Sequence, residues 1–249
     1  AVDDVFLTMN RGEVLGIIGE SGCGKSTLGR MLVRLENPTS GDVLLDGKST
    51  AQMLRENNKA FRKRVQIVFQ NPFDTFTPRD TIEKILMRPL KNYNIGASDE
   101  ERLKMCRDAL ESGGLHPAEE ILKRYPHELS GGQLQRISVI RSMFFKPDLI
   151  IADELVSMLD VSVRADIINM LLDLAKKNNT AVIFISHDIA LTRYISDHIA
   201  VMYLGRVVEY GETDDVIAHP FHPYTRVLIS HCADVDPDQV RSGLPIEGE

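Results

Sequence analysis

Val14-Leu15-Gly16-Ile17-Ile18-Gly19-Glu20-Ser21-Gly22-Cys23-Gly24-Lys25-Ser26-Thr27 runs an apolar, strand-like segment into the pattern G-x-x-x-x-G-K-[ST] and on into a helix predicted over Thr27–Leu35. The order strand, glycine loop, helix reads as a phosphate cradle. Glycines let consecutive backbone N–H groups turn toward a polyphosphate, and the helix N-terminus adds partial positive charge. Lys25 is placed to reach the β- and γ-phosphates, and the Ser26 hydroxyl suits Mg2+. The candidate nucleotide-binding residues are Gly19, Ser21, Gly22, Cys23, Gly24, Lys25, Ser26 and Thr27.

Outward from this loop, aliphatic runs alternate with helical patterns, which predicts an α/β fold with a mainly parallel sheet. Val43–Leu45 reads as a strand before a turn at Asp46-Gly47, and Val65–Phe69 as a short buried strand. Thr81–Arg88, Asp99–Ser112, Ala118–Arg124 and Gln133–Phe145 all carry helical spacing, punctuated by Gly113-Gly114, Pro117 and Pro126. They predict an inserted all-helical subdomain, packed in part by Met143, Phe144 and Phe145. Strand patterns return at Leu149–Ala152, Thr180–Ile185 and Ile199–Tyr203, with a helix over Ser162–Lys177 and a hairpin turn at Gly205-Arg206 leading into Val207–Tyr210. The expected organisation is a core in two parts, 1–80 and 146–211, a helical subdomain over 81–145, and a C-terminal extension over 212–249.

The chain of 249 residues is long enough for a full α/β core plus one insertion. Its formal charge of −7 and lack of a long basic block argue against a nucleic-acid footprint; Arg62-Lys63-Arg64 reads as a solvated helix end. Three separated cysteines without a C-x-x-C pair argue against a disulfide framework or a zinc site. His219, His222 and Cys232 have no recognised ligand spacing, and Pro220 and Pro223 predict a loop there. No apolar run approaches the roughly 18 residues that span a bilayer, and Ala1 does not open a secretory-signal pattern, so a soluble protein in a reducing compartment is expected.

Two further segments carry chemistry. Leu149-Ile150-Ile151-Ala152-Asp153-Glu154 delivers two carboxylates at the C-terminal end of a strand, where ligands of open α/β sheets bind. Asp153 suits the Mg2+ shell and Glu154 a proton-accepting role toward an attacking water, although paired acids after a strand also start helices. Leu129-Ser130-Gly131-Gly132-Gln133 exposes backbone N–H groups ahead of a helix. It reads either as a second anion site serving a neighbouring subunit's nucleotide or as a plain helix cap on Ser130.

Taken in order, Gly19–Ser26, Gln70, Leu129–Gln133, Leu149–Glu154, Ser157–Asp160 and His187 resemble the ATPase subunit of ABC transporters over almost the whole chain. Leu159-Asp160-Val161-Ser162-Val163, Ile185-Ser186-His187-Asp188, Val201-Met202-Tyr203-Leu204-Gly205 and His222-Pro223-Tyr224-Thr225 make it similar to the oligopeptide, dipeptide and nickel importer branch. The resemblance implies a P-loop ATPase core with a mainly parallel sheet, additional antiparallel strands and a helical subdomain carrying the signature segment at its end. It further implies ATP and Mg2+, and a head-to-tail dimer with two ATPs between the subunits.

The same resemblance implies roles for single residues. Glu154, His187, Gln70 and Lys25 would be catalytic, with Ser26, Gln70 and Asp153 around Mg2+. Ser130, Gly131, Gly132, Gln133 and Asp160 would face the nucleotide held by the second ATPase subunit. Asn71–Phe76 resembles the region that meets the membrane permease; Phe73 and Phe76 would fill a socket there if exposed, and would belong to the core otherwise. The implied setting is the cytoplasmic face of a membrane, with two permease subunits as partners and an extracytoplasmic solute-binding protein as an indirect one. A peptide is the expected solute, with nickel or an oligosaccharide as alternatives. A non-transport relative acting on nucleic acid would carry coiled coils or zinc modules in the insertion, and neither heptads nor cysteine clusters occur here.

Two departures from the family pattern stand out. Leu155-Val156-Ser157-Met158-Leu159-Asp160 replaces the usual Pro-Thr-Ser-Ala-Leu-Asp, removing a proline that would restrict φ. The family's adenine-stacking aromatic falls before Ala1, Phe6 being too close to Gly19, and the branch continues beyond Pro245–Glu249. The chain is therefore expected to be the middle of a longer subunit.

Overall fold

The computed structural model describes residues 2–230, so Cys232 and the segment Pro245–Glu249 lie outside the described residues. Six strands form one sheet in the order β4-β5-β6-β1-β7-β8: β1 is Val14–Ile18, β4 Val65–Val68, β5 Leu149–Asp153, β6 Ala181–Ile185, β7 His198–Tyr203 and β8 Arg206–Glu212. All neighbours are parallel except β7 and β8. β1 lies inside, with Val14 opposite Val182 on one flank and Leu15 opposite His198 on the other. Its nearly continuous aliphatic sequence follows from burial on both faces, as parallel sheets require.

Strand alternation sorts the core into two layers. Ile151, Ile183 and Ile185 pack with Leu28 of α1 (Lys25–Leu32) and Phe61 of α3 (Asn58–Arg64). Ile150, Ala152, Val182 and Phe184 point the other way, toward Val139 of α7 (Gly131–Met143) and Ile167, Ile168 and Leu171 of α8 (Val161–Asn178).

The segment after β4 builds its own core. α4 (Ile82–Asn92), α5 (Asp99–Ser112) and α6 (Ala118–Lys123) are introduced by caps or a proline: Thr81 Oγ1 accepts from Lys84 N–H, Ser98 Oγ from Glu101 N–H, and Pro117 precedes α6. Ile82, Leu86, Leu90, Leu110, Ile121 and Leu122 close against Leu134, Ile137 and Ile140 of α7. Thus α7 is shared: one side packs the helical arm and the other, through Val139 and Met143, packs the sheet. Cys106 is fully buried in the arm, and burial pushes its thiol up to about 12.

Several details depart from the sequence reading. Met143 packs under the sheet rather than within the arm, while Phe144 packs against the arm and Phe145 meets the edge of Tyr93 at 4.8 Å. The expected strand at Val43–Leu45 is half of a separate two-stranded hairpin, β2 (Leu44–Leu45) and β3 (Lys48–Ser49), and it leads into the unforeseen α2 (Thr50–Glu56). The β7–β8 turn uses Leu204 and Gly205, both at positive φ (47° and 87°), one residue earlier than expected. α9 (Ile189–Ile195) and α10 (Thr213–Ala218) were not foreseen either. Pro223 does not lie in a loop but opens α11 (Pro223–Ser230), a position where its missing N–H costs nothing.

Gly16 marks how tightly α9 closes over β1. A Cβ there would lie 2.2 Å from Thr192 Cγ2 and 2.7 Å from Ser196 Oγ. Gly16→Ala is expected to cost about 1–3 kcal/mol by overpacking, lowering the melting temperature by roughly 3–10 °C; an unchanged thermal melt would contradict this packing.

Candidate functional site

The loop between β1 and α1 turns on glycines where side chains are excluded. Gly24 caps α1 at φ 107°, and a Cβ on Gly19 would lie 2.2 Å from the Met202 carbonyl oxygen. The buried Lys25 ammonium donates to the Gly19 carbonyl at 2.6 Å and the Glu20 carbonyl at 2.8 Å. Next to it, Ser26 Oγ donates to Asp153 Oδ1 at 2.9 Å, joining the loop to the end of β5. Burial raises the Asp153 carboxyl above its ordinary range, against the opposing effect of the Ser26 hydrogen bond. A buried carboxylate beside a hydroxyl is an oxygen donor set that fits a hard cation such as Mg2+.

Glu154 follows at φ 50°, its N–H donating to Ile185 O at 3.0 Å. Around its carboxylate, Gln70 Nε2 donates to Glu154 Oε2 at 3.3 Å and to Ser157 Oγ at 3.0 Å, and Ser157 Oγ donates to the Glu154 carbonyl at 3.0 Å. His187 Nδ1 lies 3.5 Å from Glu154 Oε2, with the imidazole mostly exposed. Gln70, Glu154 and His187, expected together from the sequence, do meet. β4 ends at Val68, so Gln70 stands on the loop beyond the strand. The arrangement can hold a water between a proton acceptor and an imidazole.

Ser130–Gln133 forms a reciprocal cap. Ser130 Oγ accepts from Gln133 N–H at 3.3 Å, Gln133 Oε1 accepts from Ser130 N–H at 3.0 Å, and α7 consequently starts at Gly131 rather than Gln133. The helix-cap reading of this segment therefore describes its local geometry. Gly132 lies against α8, where a Cβ would come 2.7 Å from Val163 Cγ1. Asp160 is exposed at the start of α8, and its side chain makes no cap hydrogen bond.

Where the resemblance expects a proline, Leu155 is 1% exposed and packs in the layer under the sheet beside Val156. The turn is closed by Ser157 N–H to Glu154 O at 3.2 Å and Leu159 N–H to Val156 O at 3.1 Å. Of the two aromatics offered as a socket, only Phe73 is open, at 48% exposure; Phe76 is buried in the arm with the Arg141 guanidinium 4.7 Å from its ring centroid. The two alternatives left open for this pair therefore divide, Phe73 following the exposed one and Phe76 the core one. Phe76 also lines a groove of about 330 Å³ at the junction of core and arm, together with Arg62, Arg88, Tyr93 and Arg141 among others.

Two contacts were missed by the sequence reading. Buried Gln135 donates to Phe69 O at 3.1 Å, fastening the strand-end loop that carries Gln70 to α7; a polar residue in an otherwise buried helix was its only signal. The Tyr224 oxygen accepts from Glu20 N–H at 2.9 Å, a contact that no local pattern announces. Among the described residues, no group of three or more His, Cys, Asp or Glu forms a metal site, and no helix is long and apolar enough to cross a membrane.

Comparison with known proteins agrees with this geometry. Residues 2–157 match the family model described as ABC transporter, and residues 208–248 match that of the oligopeptide/dipeptide transporter C-terminal region. A probable peptide ABC transporter ATP-binding protein of Sinorhizobium fredii is 47% identical over 249 residues, covering 100% of this chain and 70% of the relative. The oligopeptide transport ATP-binding protein AppF of Bacillus subtilis is 45% identical over 231 residues, 92% of this chain and 69% of the relative. Among solved structures, the dimeric post-hydrolysis state of the ATP-binding cassette MJ0796 bound to ADP and Pi superposes with a TM-score of 0.75 at 30% identity, covering 85% of this chain and 90% of that one.

Proposed function

The chain belongs to the ABC transporter family, and we propose that it works as one half of a dimer that binds two ATPs between its subunits and docks on a membrane permease. It is an ATP-binding and ATP-hydrolysing subunit that energises peptide import. The observation supporting the catalytic reading is the convergence of Gln70, Glu154, Ser157 and His187 on the sheet edge that also carries Lys25 and Asp153.

In this reading the phosphate loop takes the triphosphate, and Lys25 leaves the Gly19 and Glu20 carbonyls to neutralise charge on the β- and γ-phosphates. Ser26 and Asp153 would hold Mg2+, which when bound supplies charge neutralisation on the phosphate oxygens, with Gln70 at its rim. Glu154 accepts the proton of the attacking water. Gln70 and Ser157 fix that carboxylate, and His187 holds the water and the γ-phosphate in line. Ser130–Gln133 and Asp160 of each subunit face the nucleotide in the other; the cap takes the N–H groups of Ser130 and Gln133, which leaves those of Gly131 and Gly132 for an anion. Residues 81–145 serve as a helical arm between the nucleotide and the permease. The groove at the junction takes a permease helix, with buried Phe76 in its lining and Phe73, three residues earlier in the chain, exposed. The working location is the cytoplasmic face of the membrane, where the solute-binding protein acts on the opposite side.

Glu154→Gln is expected to retain ATP binding while lowering turnover by at least about two orders of magnitude, because the proton acceptor is lost and the cradle is not. Steady-state turnover and calorimetric affinity measured together check this, and wild-type-like hydrolysis would place the base elsewhere.

The two aromatics should separate. Phe73→Ala is expected to leave the melting temperature and basal ATPase near the parent while abolishing peptide-stimulated turnover with the permease. Phe76→Ala should cost about 3–5 kcal/mol of stability by opening a cavity in the arm. A strong loss of melting temperature in the Phe73 variant would return that ring to the core.

A further inference from the structure

Tyr224 touches the phosphate loop from outside. Its hydroxyl oxygen accepts a 2.9 Å hydrogen bond from the backbone N–H of Glu20, 204 residues away in sequence. The ring lies on Tyr203 at the end of β7, with centroids 4.3 Å apart and planes tilted by 32°. Burial raises the hydroxyl's pKa above its ordinary value, so the group stays neutral.

The approach of α11 to the loop is built by β8. Glu209 accepts from the N–H groups of Phe221 at 2.8 Å and His222 at 3.0 Å, and His222 Nδ1 accepts from Tyr224 N–H at 3.1 Å. Thr225, the next residue, is fully buried. The segment His222-Pro223-Tyr224-Thr225 is therefore set by side-chain acceptors and by packing, and the tyrosine oxygen is delivered to one peptide of the loop. That peptide, Gly19–Glu20, is held from both ends: Tyr224 accepts from the N–H of Glu20, and Lys25 donates to the Gly19 carbonyl at 2.6 Å. Three residues on, the Cys23 carbonyl accepts from Gly205 N–H of the β7–β8 turn at 2.9 Å. The loop is thus tethered at two points to the β7–β8 hairpin and the helix packed on it.

We propose that Tyr224 is a positioning residue for nucleotide binding, through which α11 sets the conformation of the phosphate loop and couples the C-terminal segment to ATP affinity. When Lys25 moves from the Gly19 carbonyl to the phosphates, the Tyr224 contact is what remains to keep the Gly19–Glu20 peptide plane in place. Without it the N–H turns to water, and part of the binding free energy is spent ordering the loop. The effect falls on affinity rather than on the chemical step, since Tyr224 contacts neither Glu154 nor His187 through any hydrogen bond or ring contact.

This rests on the phosphate-loop reading proposed above, and a paired experiment distinguishes the two. Tyr224→Phe keeps the ring on Tyr203 and removes only the oxygen. ATP and ADP affinity of the purified whole chain is measured by calorimetry, with KM and kcat from steady-state turnover, beside Lys25→Ala. The expected result for Tyr224→Phe is a rise in Kd and KM of about two- to tenfold, the range one neutral hydrogen bond spans, with kcat within about twofold and the melting temperature within about two degrees. Unchanged nucleotide affinity while Lys25→Ala weakens binding overturns this proposal alone. Unchanged affinity in Lys25→Ala overturns the loop reading beneath it. A fall in melting temperature of more than about five degrees alongside weaker binding makes Tyr224 a structural residue and also overturns the proposal.

Discussion

Parallel alignment of β1, β5 and β6 is the constraint on which the site depends. Because these strands run side by side in one direction, the chain leaves each of them at the same edge of the sheet. The phosphate loop, Asp153-Glu154 and the turn bearing His187 therefore meet with no bond between the segments other than the sheet ladder and a few side-chain contacts. The Ser26–Asp153 hydrogen bond is the shortest expression of that arrangement, since it links the exits of two strands separated in order by β6. Burial of nearly every residue of β1, β5 and β6 keeps the edge rigid, and rigidity is what a site working by electrostatic preorganisation requires.

The arm is joined to that edge by α7. Leu134, Ile137 and Ile140 belong to one core, while Val139 and Met143 belong to another, so a rigid displacement of the arm carries α7 and its N-terminal cap with it. Gln135 extends the link to the Phe69 carbonyl, next to Gln70. Arg141 extends it to Phe76 and the Thr75 carbonyl beside the groove. Desolvation lowers the Arg141 pKa from its usual value, and the Phe76 ring offsets part of the cost of that burial. A single helix thus touches the groove, the loop that carries Gln70 and, through its own N-terminus, the Ser130–Gln133 cap.

Legibility followed the range of the interactions. The cradle, the strand with two carboxylates and most of the arm helices could be read because each is announced within a dozen residues by glycine spacing, apolar runs or caps such as Thr81 and Ser98. The convergence of Gln70, Glu154 and His187 was reached through resemblance, since a lone Gln or His carries little local signal. What escaped was decided at long range. Phe76 looks no more buried than Phe73 in sequence, yet only one of them meets the arm core. The Tyr224–Glu20 contact depends on a helix that Pro223 disguised, because proline at a first helical position reads equally well as a loop.

The replacement of proline by Leu155 illustrates how a local departure is absorbed by packing. Glu154 sits in the left-handed region, which costs free energy for a residue with a Cβ, and a following proline would restrict the chain at that point covalently. Here the restraint is distributed. The Glu154 N–H is tied to Ile185, its carbonyl takes the N–H and hydroxyl of Ser157, and the side chains of Leu155 and Val156 are anchored in the layer with Phe184 and Ile168. The direction of the Glu154 carboxylate is then a property of the hydrophobic layer as much as of the turn. Core packing beneath β5 and β6 and the geometry proposed for catalysis above their ends are, at this residue, the same constraint.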